Sequence, residues 1–369
     1  MRTTSAIAAL TGRAFSSRSP GRCGIRLTVA KKGAKGLKVG PIALFEKSFL
    51  QSLSVDESVW FDQFFIPVIC PLFYVETLAD LTKSDATARR SAEDEVRIIA
   101  DKVPVLSGSP CANHRDMVIS SLMGDSIPMT GQIPVAGGRP VRSSEGKKGV
   151  VFDESPESMA FTRWQHGEFM DVERSFAHGW RRMLTTLDLP TTADRMRKLG
   201  IGSKQCKTLK EAHAIATALV HGRDKPFDQM ALLFTFVDIP RELTEPILQR
   251  WAIAQYRPLA TYAPYAAHVL TVEIFFQIAL AASLISADRP SNRVDIGYLF
   301  YLPFCMVFIS GDKLHRNCAP LVSACRPRLH VGSRSQGGTC SCQQGVFPAS
   351  CFRTGKRDHE ICQRADRLG

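Results

Sequence analysis

Residues 1 to 40 contain no acidic residue, although nine lysines and arginines fall there. Other absences narrow the chemistry. There is no G-x-x-x-x-G-K-[ST], which excludes a P-loop, and neither G-x-S-x-G nor H-E-x-x-H occurs. Gly200 to Lys204 (GIGSK) is too short for a phosphate cradle and reads as a helix C-cap and turn. No long apolar stretch lies near the start, so a secretory signal is not expected. Six of the eleven cysteines crowd into the last 52 residues, yet Cys340-Ser341-Cys342 with Cys351 and His359 match no paired Cys-x-x-Cys zinc spacing.

The formal charge of +12 comes from the ends. Residues 315 to 369 hold nine basic and three acidic residues, leaving 29 basic and 32 acidic between 41 and 314, a charge of −3. The high pI therefore says little about the middle of the chain. Residues 1–40 read as a basic leader, and 1–38 also have the composition of an organelle transit segment. Residues 316–369, rich in Cys, Arg and Ser, follow neither helical nor strand period from about Val322. They read as a disordered tail or as a non-native ending. Cys70 and Cys305 sit inside apolar runs as small hydrophobes, which fits a reduced, intracellular and cytoplasmic setting.

Between the ends, Ile42 to Phe45 (IALF) predicts a buried strand closed by Glu46, and Lys47 to Leu53 continues as a helix. Val68 to Cys70 predicts a second strand, and Pro71 opens a helix carrying Val75, Leu78 and Leu81, with Glu76 beside that face. Ser84 to Lys102 predicts a charged helix. SGSPCANH and VAGGRPVRSSEGKKG read as exposed turns, with Val150 and Val151 in one strand of a hairpin. Large apolar residues between Met159 and Leu187 recur at helical spacing and predict one amphipathic helix despite Gly167 and Gly179. In RWQHGE, Trp164 and His166 read as a polar site or as a core helix with His166 outward. Two helical segments follow, broken at Pro240.

Tyr262 to Ile285 is long and apolar enough to be weighed as a membrane span. His268, Glu273 and Gln277 interrupt it, and an ionisable group at mid-bilayer is costly, so a buried core helix is expected and no span. Arg181, Arg182, Arg195, Arg197, Lys198, Lys204, Lys207 and Lys210 either track a phosphate backbone or form a solvated face.

Asp295 opens an apolar helical run that Pro303 closes. Phe304 to Ser310 predicts a buried parallel strand, with Gly311-Asp312 at its carboxyl end. In open α/β sheets ligands bind beyond the carboxyl ends of the strands, so Glu46 and Asp312 are expected on one edge, within reach of Asp295. Taken singly, each acid has a plainer role: a solvated strand end for Glu46, a helix flank for Glu76, an N-cap for Asp295, a Gly-Asp turn for Asp312.

The order of these pieces resembles the PIN domain, a family of metal-dependent nucleases. An apolar strand ending in an acid (IALFEKSFL), a helix with an internal Glu (CPLFYVETLADL), then an Asp, a short helix, a strand and Ser-x-Asp (DIGYLFYLPFCMVFISGD) carry the resemblance. It covers residues 41–82 and 290–314, with Glu46 where the family has Asp and about 200 residues between the two parts. The resemblance implies a single α/β domain over 41–315, a small parallel sheet flanked by helices, with a large mainly helical insertion at about 83–260. It implies that Glu46, Glu76, Asp295 and Asp312 hold Mg²⁺ or Mn²⁺, with Ser310 as the hydroxyl of the last motif. Hard divalent cations prefer carboxylate oxygens, and such ions can activate water against a phosphodiester; the substrate that the resemblance implies is RNA. The alternative is a non-catalytic, degenerate PIN-like or helical domain that binds RNA or a protein.

Overall fold

In the computed structural model the described residues are 28–29, 40–83, 90–103, 109–135, 139–151, 154–198, 200, 205–323 and 346–347. Their strands, in chain order, are β1 (Thr28–Val29), β2 (Ile42–Phe45), β3 (Ile66–Ile69), β4 (Ser109–Pro110), β5 (Pro134–Val135), β6 (Arg139–Arg142), β7 (Lys148–Val151), β8 (Val307–Ile309) and β9 (Val346–Phe347). A parallel sheet runs in the order β4-β3-β2-β8-β9; β1 pairs with β5 and β6 with β7, both antiparallel. The body of the sheet is β3-β2-β8, with two residues at each outer edge, and helices flank it.

Every residue of β2 is apolar, and a strand of that kind is stable only where both faces are covered. Ala43, Leu44 and Phe45 are fully buried. Phe45 meets Phe61 and Phe73 edge to face, at 5.4 and 5.1 Å between centroids. Each such phenyl contributes roughly 1.5–3 kcal/mol by burial. That contact holds the Val55–Phe64 and Pro71–Ala79 helices against β2. Pro71 occupies the first turn of its helix, where its missing N–H costs nothing.

The strand order decides where a site can form. From β2 the chain moves outward through β3 to β4, whereas from β8 it moves the other way to β9. The segments leaving β2 and β8 therefore part company between two adjacent parallel strands, and the carboxyl ends of such a pair are where open α/β sheets place their ligand crevice. Register across this point is Ala43 to Val307, Leu44 to Phe308 and Phe45 to Ile309.

Beyond the sheet the chain is mainly helical. The Pro264–Ala281 helix is central, packed by the Leu209–His221, Leu189–Lys198 and His114–Leu122 helices. It is the one described helix long and apolar enough to cross a membrane, and 89% of that span is buried inside the fold. One continuous apolar core joins it to β2 and β8.

Several expectations need correction. The apolar series from Met159 to Leu187 belongs to two helices, Pro156–Gln165 and Asp171–Thr185. The break falls at Gly167, whose φ of +74° is left-handed. The stretch read as exposed turns at SGSPCANH supplies edge strand β4, and Cys111 and Ala112 beyond it are buried. Strand β3 begins at Ile66 and includes Pro67, tolerated because β4 pairs only with Val68 and Ile69 and leaves that flank open. Strand β8 is shorter than Phe304 to Ser310, because Pro303 lies inside a 3₁₀ helix, Tyr298–Phe304. The charged helix starts at Ala92, capped by Ser91. The cysteine cluster at 340–351 and His359 lie outside the described residues.

Candidate functional site

Glu46 follows β2 directly and is buried, so its charge needs partners from the protein. Gly311 N–H, just past β8, donates to Oε1 at 2.8 Å, and the Ser48 hydroxyl donates to the same oxygen. Oε2 accepts from Nδ1 of His315 at 2.8 Å. Burial alone disfavours the carboxylate, but His315, Ser48 and Gly311 outweigh it and hold Glu46 down at about 2.

His315 is fully buried on the Lys313–Val322 helix. Its Nε2 points at the Asp295 carbonyl at 2.7 Å, and its Nδ1 lies 2.9 Å from Ser310 Oγ as well as facing Glu46. A carbonyl and a carboxylate can only accept, so both ring nitrogens carry protons and the ring is an imidazolium. Burial opposes that charge; the hydrogen bond and charge of Glu46, with help from Asp295, raise the ring above its ordinary value. Ser310 is not poised as a nucleophile. A Ser-His-acid relay sets the hydroxyl and the acid on opposite ring nitrogens, whereas here both share Nδ1.

Asp312 caps the Lys313–Val322 helix through Leu314 N–H, while its own N–H donates to Ser310 Oγ at 3.0 Å. The capping role expected of Asp295 thus belongs to Asp312, and Asp295 lies within the Asn292–Gly297 helix after Ser291. Glu76 accepts from the Tyr298 hydroxyl, a bond joining the Pro71–Ala79 helix to the 3₁₀ segment. Lys47, next to Glu46, reaches the Glu76 carbonyl at 3.1 Å and both oxygens of Asp80 at 3.0 Å.

The four acids feel one another. Asp295 is raised to about 7, chiefly by burial and with help from the charges of Glu76, Asp312 and Glu46, against the opposing charge of His315. Glu76 is likewise raised, first by burial, against the opposing effects of Lys47 and Tyr298. All five expected residues therefore lie at the crevice between β2 and β8 or on the elements that border it. Sequence reasoning missed His315, Tyr298 and Lys47. The available signal for His315 was its place three residues after Asp312, the position in a first helical turn that faces back toward the cap.

In chemical kind this donor set suits a hard divalent cation, since it consists of carboxylate oxygens; burial is the main reason that Glu76 and Asp295 hold their protons more tightly. Glu46 is the exception, since both of its oxygens already have protein donors. Among the described residues no three His, Cys, Asp or Glu side chains gather closely enough to enclose an ion as they stand.

No family model matches this chain. No curated protein and no solved structure matches it either. The basic residues expected to track phosphate have partly structural roles: Arg181 Nε bonds the Ala79 carbonyl at 3.1 Å and Arg197 Nε the Ala281 carbonyl at 2.9 Å. Trp164 is buried and His166 exposed, as a core helix with an outward histidine requires.

Proposed function

We propose that the acidic crevice is the site of a metal-dependent phosphodiesterase acting on RNA, carried by a PIN-like α/β domain. The observation that carries this reading is positional. Glu46, Glu76, Asp295 and Asp312, in the order the PIN pattern demands, border the one point where neighbouring parallel strands send the chain in opposite directions. Asp295, Asp312 and Glu76 would hold Mg²⁺ or Mn²⁺, whose part is to activate water and neutralise charge on the phosphodiester. Glu46 anchors the set from behind: with His315 and Gly311 it ties β2 to the start of the last helix and so fixes where Asp312 stands. His315 also holds the Asp295 backbone in place.

A second reading has its own support. The His315 imidazolium already supplies a cation against Glu46, and among the described residues no ion-sized cluster exists in the present arrangement. In that reading the domain is non-catalytic and binds RNA or a protein.

Cleavage of a labelled single-stranded RNA separates the two. The first reading expects cleavage with Mg²⁺ or Mn²⁺, none with chelator, and none by Asp312→Asn. It also expects the ion to raise thermal stability, by about 2.7 kcal/mol at a hundredfold excess over Kd. Cleavage that Asp312→Asn leaves unchanged, or an ion that neither stabilises the protein nor supports cleavage, leaves the second reading standing.

A further inference from the structure

The β6–β7 ribbon stands apart from the core. Residues 141 to 149 are all exposed, including Val141 at 37%. An isolated two-stranded hairpin is marginal in water, so this one depends on its turn. Ser143 N–H bonds the Lys147 carbonyl at 2.8 Å and Gly146 N–H the Ser143 carbonyl at 2.9 Å, with Gly146 left-handed at φ +79°. That is the three-residue loop with a glycine bulge.

Its charge is arranged against its own stability. The sequence RPVRSSEGKKGVV holds Arg139, Arg142, Lys147 and Lys148 against Glu145 alone, four positive to one negative. Arg142 and Lys148 are direct cross-strand partners, and like charges placed opposite each other destabilise a ribbon. Among the described residues Glu145 pairs with Lys147, exposed and at 2.7 Å.

The ribbon also has a definite origin. It follows β5, whose Pro134 carbonyl accepts from Ala112 N–H at 2.7 Å, and Ala112 lies just beyond the carboxyl end of β4. Three residues separate Val135 from Arg139, so the ribbon begins within about 14 Å of that sheet edge, at roughly 3.5 Å per residue. Glu46 and Asp312 follow the carboxyl ends of β2 and β8, on the same edge of the sheet.

We propose that the β6–β7 ribbon is an RNA-binding arm that grips the phosphate backbone beside the acidic site. This rests on the reading of that site as acting on RNA. Polyanion phosphates relieve the Arg142–Lys148 repulsion, whereas the ribbon's own sequence sets no carboxylate across the strands to do so.

The test is fluorescence anisotropy of a 5′-labelled single-stranded RNA with the full chain, in chelator so that nothing is cut, over a range of salt. Arg142→Gln with Lys147→Gln and Lys148→Gln should weaken binding and reduce the slope of log K against log salt by about 2, near 0.7 for each phosphate that is no longer neutralised. Because the ribbon contributes no buried side chain at these positions, the thermal midpoint should not move. Arg142→Glu, which places opposite charges across the strands, should also weaken RNA binding while leaving the hairpin intact by NMR. Unchanged affinity and slope in the triple variant overturns the proposal, as does equal loss of binding in a control variant at exposed Lys207 and Lys210. So does a native chain that binds phosphatidylserine vesicles and not RNA. A native chain that binds RNA through the ribbon but never cleaves it with Mg²⁺ or Mn²⁺ upholds the arm and overturns the acidic-site reading instead.

Discussion

Glu46–His315 and Glu273–Arg293 are both carboxylate–cation pairs inside this protein, one at the sheet edge and one between the Pro264–Ala281 and Asn292–Gly297 helices. Their surroundings differ. At Glu46 every polar atom is used: Gly311 and Ser48 fill one oxygen, His315 the other, and the far side of the imidazole meets a carbonyl. At Glu273 only one oxygen meets Arg293; Oε2 of Glu273, Nη1 of Arg293 and Oε1 of nearby Gln277 are buried without a partner. Arg293 gains instead from the face of Phe276, 5.8 Å away. A buried pair is stabilising only when its remaining lone pairs and protons are also satisfied. The first pair meets that condition and the second does not, so they should respond differently to being broken.

The largest effect is expected at His315. His315→Ala leaves the Glu46 charge buried and strips the Asp295 carbonyl of its donor, which should cost about 3–5 kcal/mol in urea unfolding at pH 6. A variant with the wild-type midpoint would mean that water enters and the pair is not a structural keystone.

Next comes the pair at Glu273. Replacing both partners, Glu273→Met with Arg293→Met, removes two of the three unpartnered atoms along with the charges and leaves only Gln277 Oε1. The double variant should be neutral or more stable, by up to about 4 kcal/mol. If it is as damaging as His315→Ala, the unpartnered atoms are being satisfied in solution and the contrast between the two pairs collapses.

The pH profile sharpens the contrast from one side. Glu46 is depressed to about 2, so its stabilisation is present above the ordinary carboxyl value and lost as pH falls toward 2. His315 is raised, so its share is fully present below about 6.5 and lost as pH rises through the folded value. The stabilisation from this pair should therefore peak between roughly pH 4.5 and 6.5, and Glu46→Gln should flatten the acid limb.

How much of this could be read from the chain follows from what is local. Strand β2, the helix opening at Pro71, the break at Pro240 and the Val150–Val151 hairpin strand are set by neighbours in sequence, and they stand where expected. The acids closing β2 and following β8 also stand where expected, although Glu46 is buried against Gly311 and His315 and is not the solvated strand end that its position alone suggests. Strand β4 was illegible: Ser109 and Pro110 have turn chemistry, and only pairing with Val68 and Ile69 makes them a strand. The break at Gly167 was hidden because two helices facing one core continue the same apolar rhythm. His315 was hidden most deeply, since its role depends on Glu46, 269 residues earlier, and on Asp295, 20 residues earlier.

Asp295 offers the smallest effect and the most discriminating one. Its carboxyl is raised to about 7, so between the ordinary value near 3.8 and 7 the folded protein keeps a proton that the unfolded chain has released. Stability from this group is thus full below about 3.8 and lost as pH rises through 7. Asn keeps the shape without the charge, and Asp295→Asn should match the wild type near pH 4 and exceed it at pH 8. The shift would correspond to about 4 kcal/mol, but Asp295 is only half-buried and water screens it, which brings the expected gain to about 1–2 kcal/mol. If the crevice takes Mg²⁺, that ion should erase the difference at pH 8 by stabilising the wild type and not Asp295→Asn. An advantage for Asn at pH 8 that Mg²⁺ leaves untouched would mean that the charge at Asp295 is kept for something other than a cation.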